Sequence, residues 1–171
     1  MPKDFSARNR KKNRNNKNKT RKQYFQNNIH STNNSSNNSN KKLDSFQKEI
    51  TVRFLEVLLM VKLFHWKTHS YATHKATDEV YEKLNTNIDS FIEILLGKTG
   101  DRVNLTETKT IRLIDFTSQE SFKREIESFK NYLVSLSSHP GLKVMTNTDL
   151  FNIRDTILGD MNQLLYLLTF R

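Results

Sequence analysis

One stretch of the chain, HWKTHSYATHKATDEVYEKLNTNIDSFIE at 65–93, carries three of the five histidines and the only tryptophan. Imidazole nitrogens and carboxylate oxygens, without any sulfur ligand, suit iron or manganese, and zinc also accepts them. The side chains of these types that recur at helical spacing are the candidate metal ligands: His65, His74, Asp78, Asp89 and Glu93.

Helical geometry groups four of these candidates on one edge. A rotation of ~100° per residue places the His74, Asp78, Asp89 and Glu93 side chains within an arc of about 100°, beside an apolar stripe. His69 lies one turn after His65 and is an additional candidate ligand, or a helix-end cation favoured by the macrodipole. Surface helices are also rich in carboxylates, so the same residues fit an ordinary polar edge, with Trp66 as a core aromatic side chain.

The elements that would position these side chains are helices. Apolar residues recur every three or four positions and predict four helices, over about 44–70, 73–96, 117–138 and 147–171. We expect Asp44 or Ser45, Thr73, Thr117 with Glu120 in a capping box, and Asn147 or Thr148 at the N-termini, and Gly97 at the end of the second helix. The predicted core is Phe46, Ile50, Phe54, Leu58, Val61, His65, Tyr81, Leu84, Ile88, Phe91, Ile92, Leu95, Phe122, Ile126, Phe129, Leu133, Leu136, Leu150, Ile153, Ile157, Met161, Leu164, Leu165 and Leu168.

The connection between the second and third helices, GKTGDRVNLTETKTIRLIDF, is too long for a tight helix–helix turn. One long crossover between these two helices is the connectivity of ferritin-like four-helix bundles. The predicted fold is therefore an all-α, ferritin-like bundle over residues 43–171.

The first 42 residues have a different composition. They contain twelve of the chain's 28 Lys and Arg, twelve Asn and a single acidic residue, whereas the remaining residues are close to neutral. Such a segment buries too little apolar surface to offset the entropy of ordering, so we predict a disordered basic tail. With no cysteine, no secretory signal and no membrane-spanning run, we expect a protein of the cytoplasm or nucleoid, or of the nucleus or virion in a eukaryotic or viral setting.

The segments KLFHW, THKATDEVYEKL and IDSFIE resemble the Dps mini-ferritins, the DNA-binding proteins of starved cells. His65-Trp66 matches the family's first motif, His74 and Asp78 its second, and Asp89 and Glu93 its third. This chain departs from the family in a shorter interval between the two histidines and in the absence of a linker glycine. The helix NIRDTILGDMNQLLYLL also resembles an uncharacterised ferritin-like family of large DNA viruses.

The Dps resemblance implies a ferroxidase centre shared between two subunits of a homo-oligomer, from a dimer up to a dodecamer. One subunit would offer His65 and His74, the other would offer Asp89 and Glu93, and Asp78 would lie near a second iron position. Iron(II) would be oxidised there and stored as mineral.

The basic tail predicts salt-dependent, sequence-independent binding to nucleic acid. The candidate phosphate contacts are Lys3, Arg8, Arg10, Lys11, Lys12, Arg14, Lys17, Lys19, Arg21 and Lys22. The Lys and Asn tracts are also explained by AT-rich codon usage, and RNRKKNR fits a nuclear-import signal. The alternative to a ferroxidase is a catalytically silent packaging protein that binds nucleic acid through this tail, or a plain helical bundle with polar edges.

Overall fold

The computed structural model describes residues 38–170, and these contain four α-helices and no β-strand. Helix α1 covers 38–67 of the described residues, α2 Tyr71–Thr99, α3 Gln119–Ser135 and α4 Thr148–Leu167. Two short 3₁₀ helices, Leu136–Ser138 and Leu142–Val144, lie between α3 and α4. The predicted all-helical architecture is confirmed. The disorder predicted for residues 1–42 is wrong for 38–42, which are helical, and for the remainder it falls outside the described part, as do all the predicted phosphate contacts.

Several predicted boundaries are wrong. Residues 38–43 are already helical, so α1 begins before Asp44. The cap of α2 is Ser70, whose side chain accepts a hydrogen bond from the Thr73 amide, and Gly97 lies inside that helix. Helix α2 ends instead at Gly100, which adopts φ 73°, a left-handed conformation that glycine tolerates best.

The capping box predicted for α3 is also wrong. The cap is Ser118, not Thr117, and its side chain accepts from the Ser121 amide. Both candidates are hydroxyl residues, so capping preference alone does not decide between them. The contacts between residues divide the chain after Lys41, and the helical body lies in Lys42–Arg171.

Contacts between helices establish their directions. Helix α1 is antiparallel to α2, since Gln47 bonds Thr99 near one end and the His65 ring stacks on His74 near the other. It is also antiparallel to α3, because Phe64 stacks on Phe122 whereas Phe46 packs on His139 after α3. Helices α2 and α3 therefore run parallel.

The segment 100–118 connects these parallel helices and must return along the length of the bundle. It leaves α2 beside Thr99, near Gln47, and reaches Asp115, which accepts two hydrogen bonds of 2.9 Å from Lys67 at the far end of α1. Between these points Ile114 is buried and Arg112 approaches Glu125 of α3. The crossover thus lies over the groove between α1 and α3.

The core contains the predicted stripes. All six positions predicted for the first helix and all five predicted for the third are buried, because a 3.6-residue period identifies the inward face of a helix. In α2 and α4 the stripe is buried except for four residues that are only partly buried: Tyr81, Ile92, Ile153 and Leu165. Of the helices in the described residues, none combines the length and apolarity needed to cross a bilayer.

Candidate metal site

Two predicted ligands, His65 near the end of α1 and His74 near the start of α2, form a stacked pair. Their ring centroids are 3.9 Å apart, with an interplanar angle of 23°. The pairing follows from the short connection 68–70, which folds the beginning of α2 back against the end of α1. His65 is buried, with 7% of its surface exposed, and His74 is partly buried.

Each histidine bonds the backbone of the other. His65 Nδ1 lies 3.0 Å from the His74 carbonyl oxygen, and His74 Nδ1 lies 3.1 Å from the His65 carbonyl oxygen. A carbonyl oxygen only accepts, so each Nδ1 must carry the hydrogen. In the neutral rings both Nε2 atoms then keep their lone pairs. A backbone carbonyl bonded to one ring nitrogen is the arrangement that orients metal-binding histidines.

A buried threonine supports this pair. Thr77 is fully buried and its hydroxyl donates to the carbonyl oxygens of Thr73, at 2.8 Å, and His74, at 3.0 Å. Its oxygen also lies 3.3 Å from His65 Nδ1. The histidine rings are therefore held by backbone and side-chain contacts from both helices, which restricts their rotation.

Asp78 brings a carboxylate to the exposed side of the histidine pair. Its Oδ1 lies 3.7 Å from His65 Nε2, the atom that the backbone contacts leave free. The same oxygen lies 4.0 Å from Lys62 Nζ, which also packs 4.6 Å from the centre of the Tyr81 ring. Lys62 places a positive charge at the carboxylate and so competes with any cation that binds there.

The second carboxylate pair, Asp89 and Glu93, lies elsewhere on α2. At 1.5 Å per residue, Asp89 is about 22 Å along the helix from His74, too far to share a metal ion within one chain. Both carboxylates are exposed, and within residues 38–170 neither has a hydrogen-bond or salt-bridge partner. Eleven residues separate Asp89 from Asp78, so the two side chains point within about 20° of each other.

The remaining predictions in this region have mixed outcomes. His69 lies in the connection 68–70 with its side chain exposed, so α1 does not present it one turn after His65. The interpretation of Trp66 as a core aromatic side chain is wrong, because 68% of its surface is exposed. Trp66 lies on the outer side of α1, whereas the core is packed by its neighbours Phe64 and His65.

Among the described residues, no three or more His, Asp or Glu side chains form a group that could hold a metal ion. Within one copy the stacked imidazoles and the Asp78 carboxylate are neighbours without forming such a group, and Asp89 and Glu93 lie farther along the same helix edge. Imidazole and carboxylate are donor types that iron and manganese accept, and the backbone contacts of both Nδ1 atoms leave the Nε2 atoms free.

Two residues beside the histidine pair, Lys62 and Thr77, were not predicted from the sequence. Lys62 lies one turn before His65, and Thr77 lies one turn after His74, so helical spacing places both beside the histidines. The signal in each case was an i, i+3 relation to a candidate ligand. Neither lysine nor threonine is a usual iron ligand, so a pattern of ligand types does not include them.

Comparisons with known proteins place the chain in a family without assigning it an activity. The sequence profile of a family of unknown function, DUF5856, matches residues 65–168, which include the histidine pair and the helices α2, α3 and α4. No curated protein and no solved structure is significantly similar to the chain. The match spans more than half of the sequence, and the chain therefore belongs to the DUF5856 family.

Proposed function

We propose that the protein is a ferritin-like, Dps-type iron-binding protein that oxidises iron(II) at a site completed by two copies of the chain. The observation that carries this proposal is the reciprocal bonding of His65 and His74, which leaves both Nε2 atoms available. Iron(II) is the substrate, each ion loses one electron, and dioxygen or peroxide from solution accepts the electrons.

Each polar group has a defined task in this proposal. His65 Nε2, which lies 3.7 Å from Asp78 Oδ1, supplies a neutral nitrogen ligand, while His74 and Asp78 shape a second position. Asp89 and Glu93 of another copy supply two negative charges, which balance one divalent cation. These two carboxylates have no partner among the described residues, so no bond within the chain must break when iron binds.

The helix directions support the ferritin-like part of the proposal. Four helices with α2 parallel to α3, joined by one connection that returns along the bundle, have the connectivity of ferritin-like bundles. In such bundles metal sites are formed by side chains of facing helices. The stacked histidines of α1 and α2 are an example of that geometry.

The test is a time course of iron(II) oxidation by the full chain and by the double variant Asp89→Ala/Glu93→Ala. We expect the variant to oxidise iron at least roughly tenfold more slowly, because it loses two anionic ligands. The matched control is Glu120→Ala/Glu127→Ala, which removes the same charge from exposed positions on α3 and should keep the wild-type rate. A wild-type rate equal to that of buffer alone would reject the ferroxidase.

A second candidate function rests on the tail composition. Twelve basic residues and one acidic residue in the first 42 favour binding to phosphate backbones, with an affinity that falls steeply with salt. In this alternative the helical body is a silent scaffold of a packaging protein. A mobility-shift assay should compare the full chain with residues 38–171, which retain all of the described α1. Equal affinity for DNA in low salt would contradict it.

A further inference from the structure

The outer side of α1 presents an apolar stripe to solvent. Leu55, Leu59 and Trp66 follow one another at spacings of four and seven residues, so they lie on one face of the helix. Their side chains are exposed, Leu59 by 43% and Trp66 by 68%. The contacts of the crossover with Glu56 and Lys67 lie about 90° around α1 from this stripe, on the side toward α3, and the crossover leaves the stripe exposed. A stripe of large apolar side chains that includes an exposed tryptophan is typical of a protein interface.

The polar groups on the adjoining edge of α2 differ between its two ends. The histidine end has the His65–His74 pair, with the Asp78 carboxylate and the Lys62 ammonium beside it. The other end has the carboxylates of Asp89 and Glu93, which lack partners among the described residues. Turning a copy by 180° would therefore bring the Lys62 ammonium of each copy toward the free carboxylates of the other, while the apolar stripe on α1 packs against its own counterpart.

The position of the rotation axis follows from where these residues lie along α2. An axis that places Asp89 and Glu93 of one copy against His74 and Asp78 of the other must cross α2 midway, at the level of Lys83 and Leu84. Contacts between Lys62 and Tyr81 and between Gln47 and Thr99 align this level of α2 with Leu59 of α1.

We propose that a second copy of the chain docks on this face about a two-fold axis that passes beside Leu59. The axis position rests on the proposed function, because the shared ligands define it. Leu59 of one copy then meets Leu59 of the other, and Trp66 of each copy lies against Val52 of the other. The antiparallel pairing also brings the free carboxylates of each copy to the histidine pair of the other.

The test uses a single cysteine in the full chain. The protein has no cysteine, so in Leu59→Cys the only disulfide that can form joins residue 59 of two copies. Such a bond requires Cα atoms within about 7 Å, which only residues near a two-fold axis satisfy with their own counterparts. The matched control is Val134→Cys, at an exposed apolar position on α3. We expect most of the Leu59→Cys protein, and little of the control, to become a covalent dimer after oxidation with diamide without added metal.

A second variant keeps the test decisive if the cysteine disturbs folding. Leu59→Arg places two guanidinium groups together at the axis, so its mass in sedimentation should fall relative to wild type, whereas that of Val134→Arg should not. Circular dichroism of each variant must show wild-type helix content. Cross-linking of Leu59→Cys no greater than that of the control, or an unchanged mass for folded Leu59→Arg, would overturn the proposed interface.

These outcomes separate the interface from the activity. Iron oxidation without the Leu59 disulfide would retain the ferroxidase and reject this axis. The disulfide without iron oxidation would retain the interface and reject the ferroxidase.

Discussion

The side chains on the two sides of α1 differ in whether they have partners within the chain. Toward α3, Arg53 bonds Glu125 at 3.1 Å and Glu56 at 3.4 Å, and Arg112 of the crossover lies 3.7 Å from Glu125. Two arginines, one of them in the crossover, thus balance two carboxylates within the same chain. Toward the outer edge of α2, Leu59 and its apolar neighbours face solvent.

The difference indicates where a partner is needed. Charges that are paired and covered within one chain stabilise the fold and require no other molecule. Apolar side chains and free carboxylates on a single face are what an interface between copies would cover. Substitutions beside α3 should therefore reduce the free energy of unfolding, whereas substitutions on the outer face should change association and leave the monomer folded.

The largest expected effect is at Glu56, whose side chain is only 12% exposed. Glu56→Ala leaves Arg53 and Arg112 with one carboxylate instead of two, and we expect a loss of about 3 kcal/mol in the free energy of unfolding. Leu59→Ala on the outer face should change the free energy of unfolding of the monomer by less than ~0.5 kcal/mol. Urea unfolding of both variants measures this contrast, and equal losses would remove the distinction between the two sides.

A smaller effect is expected at Gly141, which packs on the covered side of α1. A Cβ atom added at this position would lie 2.6 Å from Phe46 Cβ and 3.1 Å from the Lys42 carbonyl oxygen. The backbone of α1 or of the turn must then move, which should cost about 1–3 kcal/mol in Gly141→Ala. Thermal unfolding measures the loss. The control Gly159→Ala has open space around its Cβ and should be neutral or slightly stabilising.

The smallest effect concerns the attachment of the crossover. The hydrogen bond from Lys67 lowers the pKa of Asp115 below its ordinary 3.8, with the adjacent Phe116 amide and the lysine charge contributing in the same direction. Because the folded pKa is the lower one, the stabilisation is complete above the unfolded pKa and is lost as pH falls through the folded value. Asp115→Asn should reduce stability slightly at pH 7, and its difference from wild type should shrink as the pH falls below the ordinary pKa of 3.8. Unfolding curves at pH values on both sides of this pKa measure it, and a pH-independent difference would contradict it.

The sequence predicted the helical core well because the 3.6-residue period of the buried side chains does not depend on where each helix begins or ends. Phe54, Phe91 and Phe129 were placed in the core by spacing alone, and all three are fully buried. Helix ends were less predictable, since neighbouring hydroxyl residues such as Ser70 and Thr73 have similar capping preferences. Thr73 is instead buried, with its hydroxyl bonded to Gln119 at 3.4 Å.

The site was predictable in composition but not in arrangement. Spacing along α2 identified the edge that carries His74, Asp78 and Asp89, because they belong to one helix. The stacking of His65 on His74 depends on the register between α1 and α2, which a single sequence does not specify. The exposure of Trp66 depends on the same register, since one residue of rotation separates it from the buried His65.

The central claim is that two copies of the chain complete one site, and subunit complementation tests it most directly. One chain carries His65→Asn/His74→Asn, in which each amide can keep the bond to the backbone carbonyl while both Nε2 atoms are lost. The other carries Asp89→Ala/Glu93→Ala. Each variant alone should be inactive in iron oxidation.

The two chains are then unfolded together and refolded as a mixture. A shared site predicts a return to about a quarter of the wild-type rate, since half of randomly paired dimers are mixed and each mixed dimer restores one of its two sites. A mixture as inactive as its separate components would contradict the shared site.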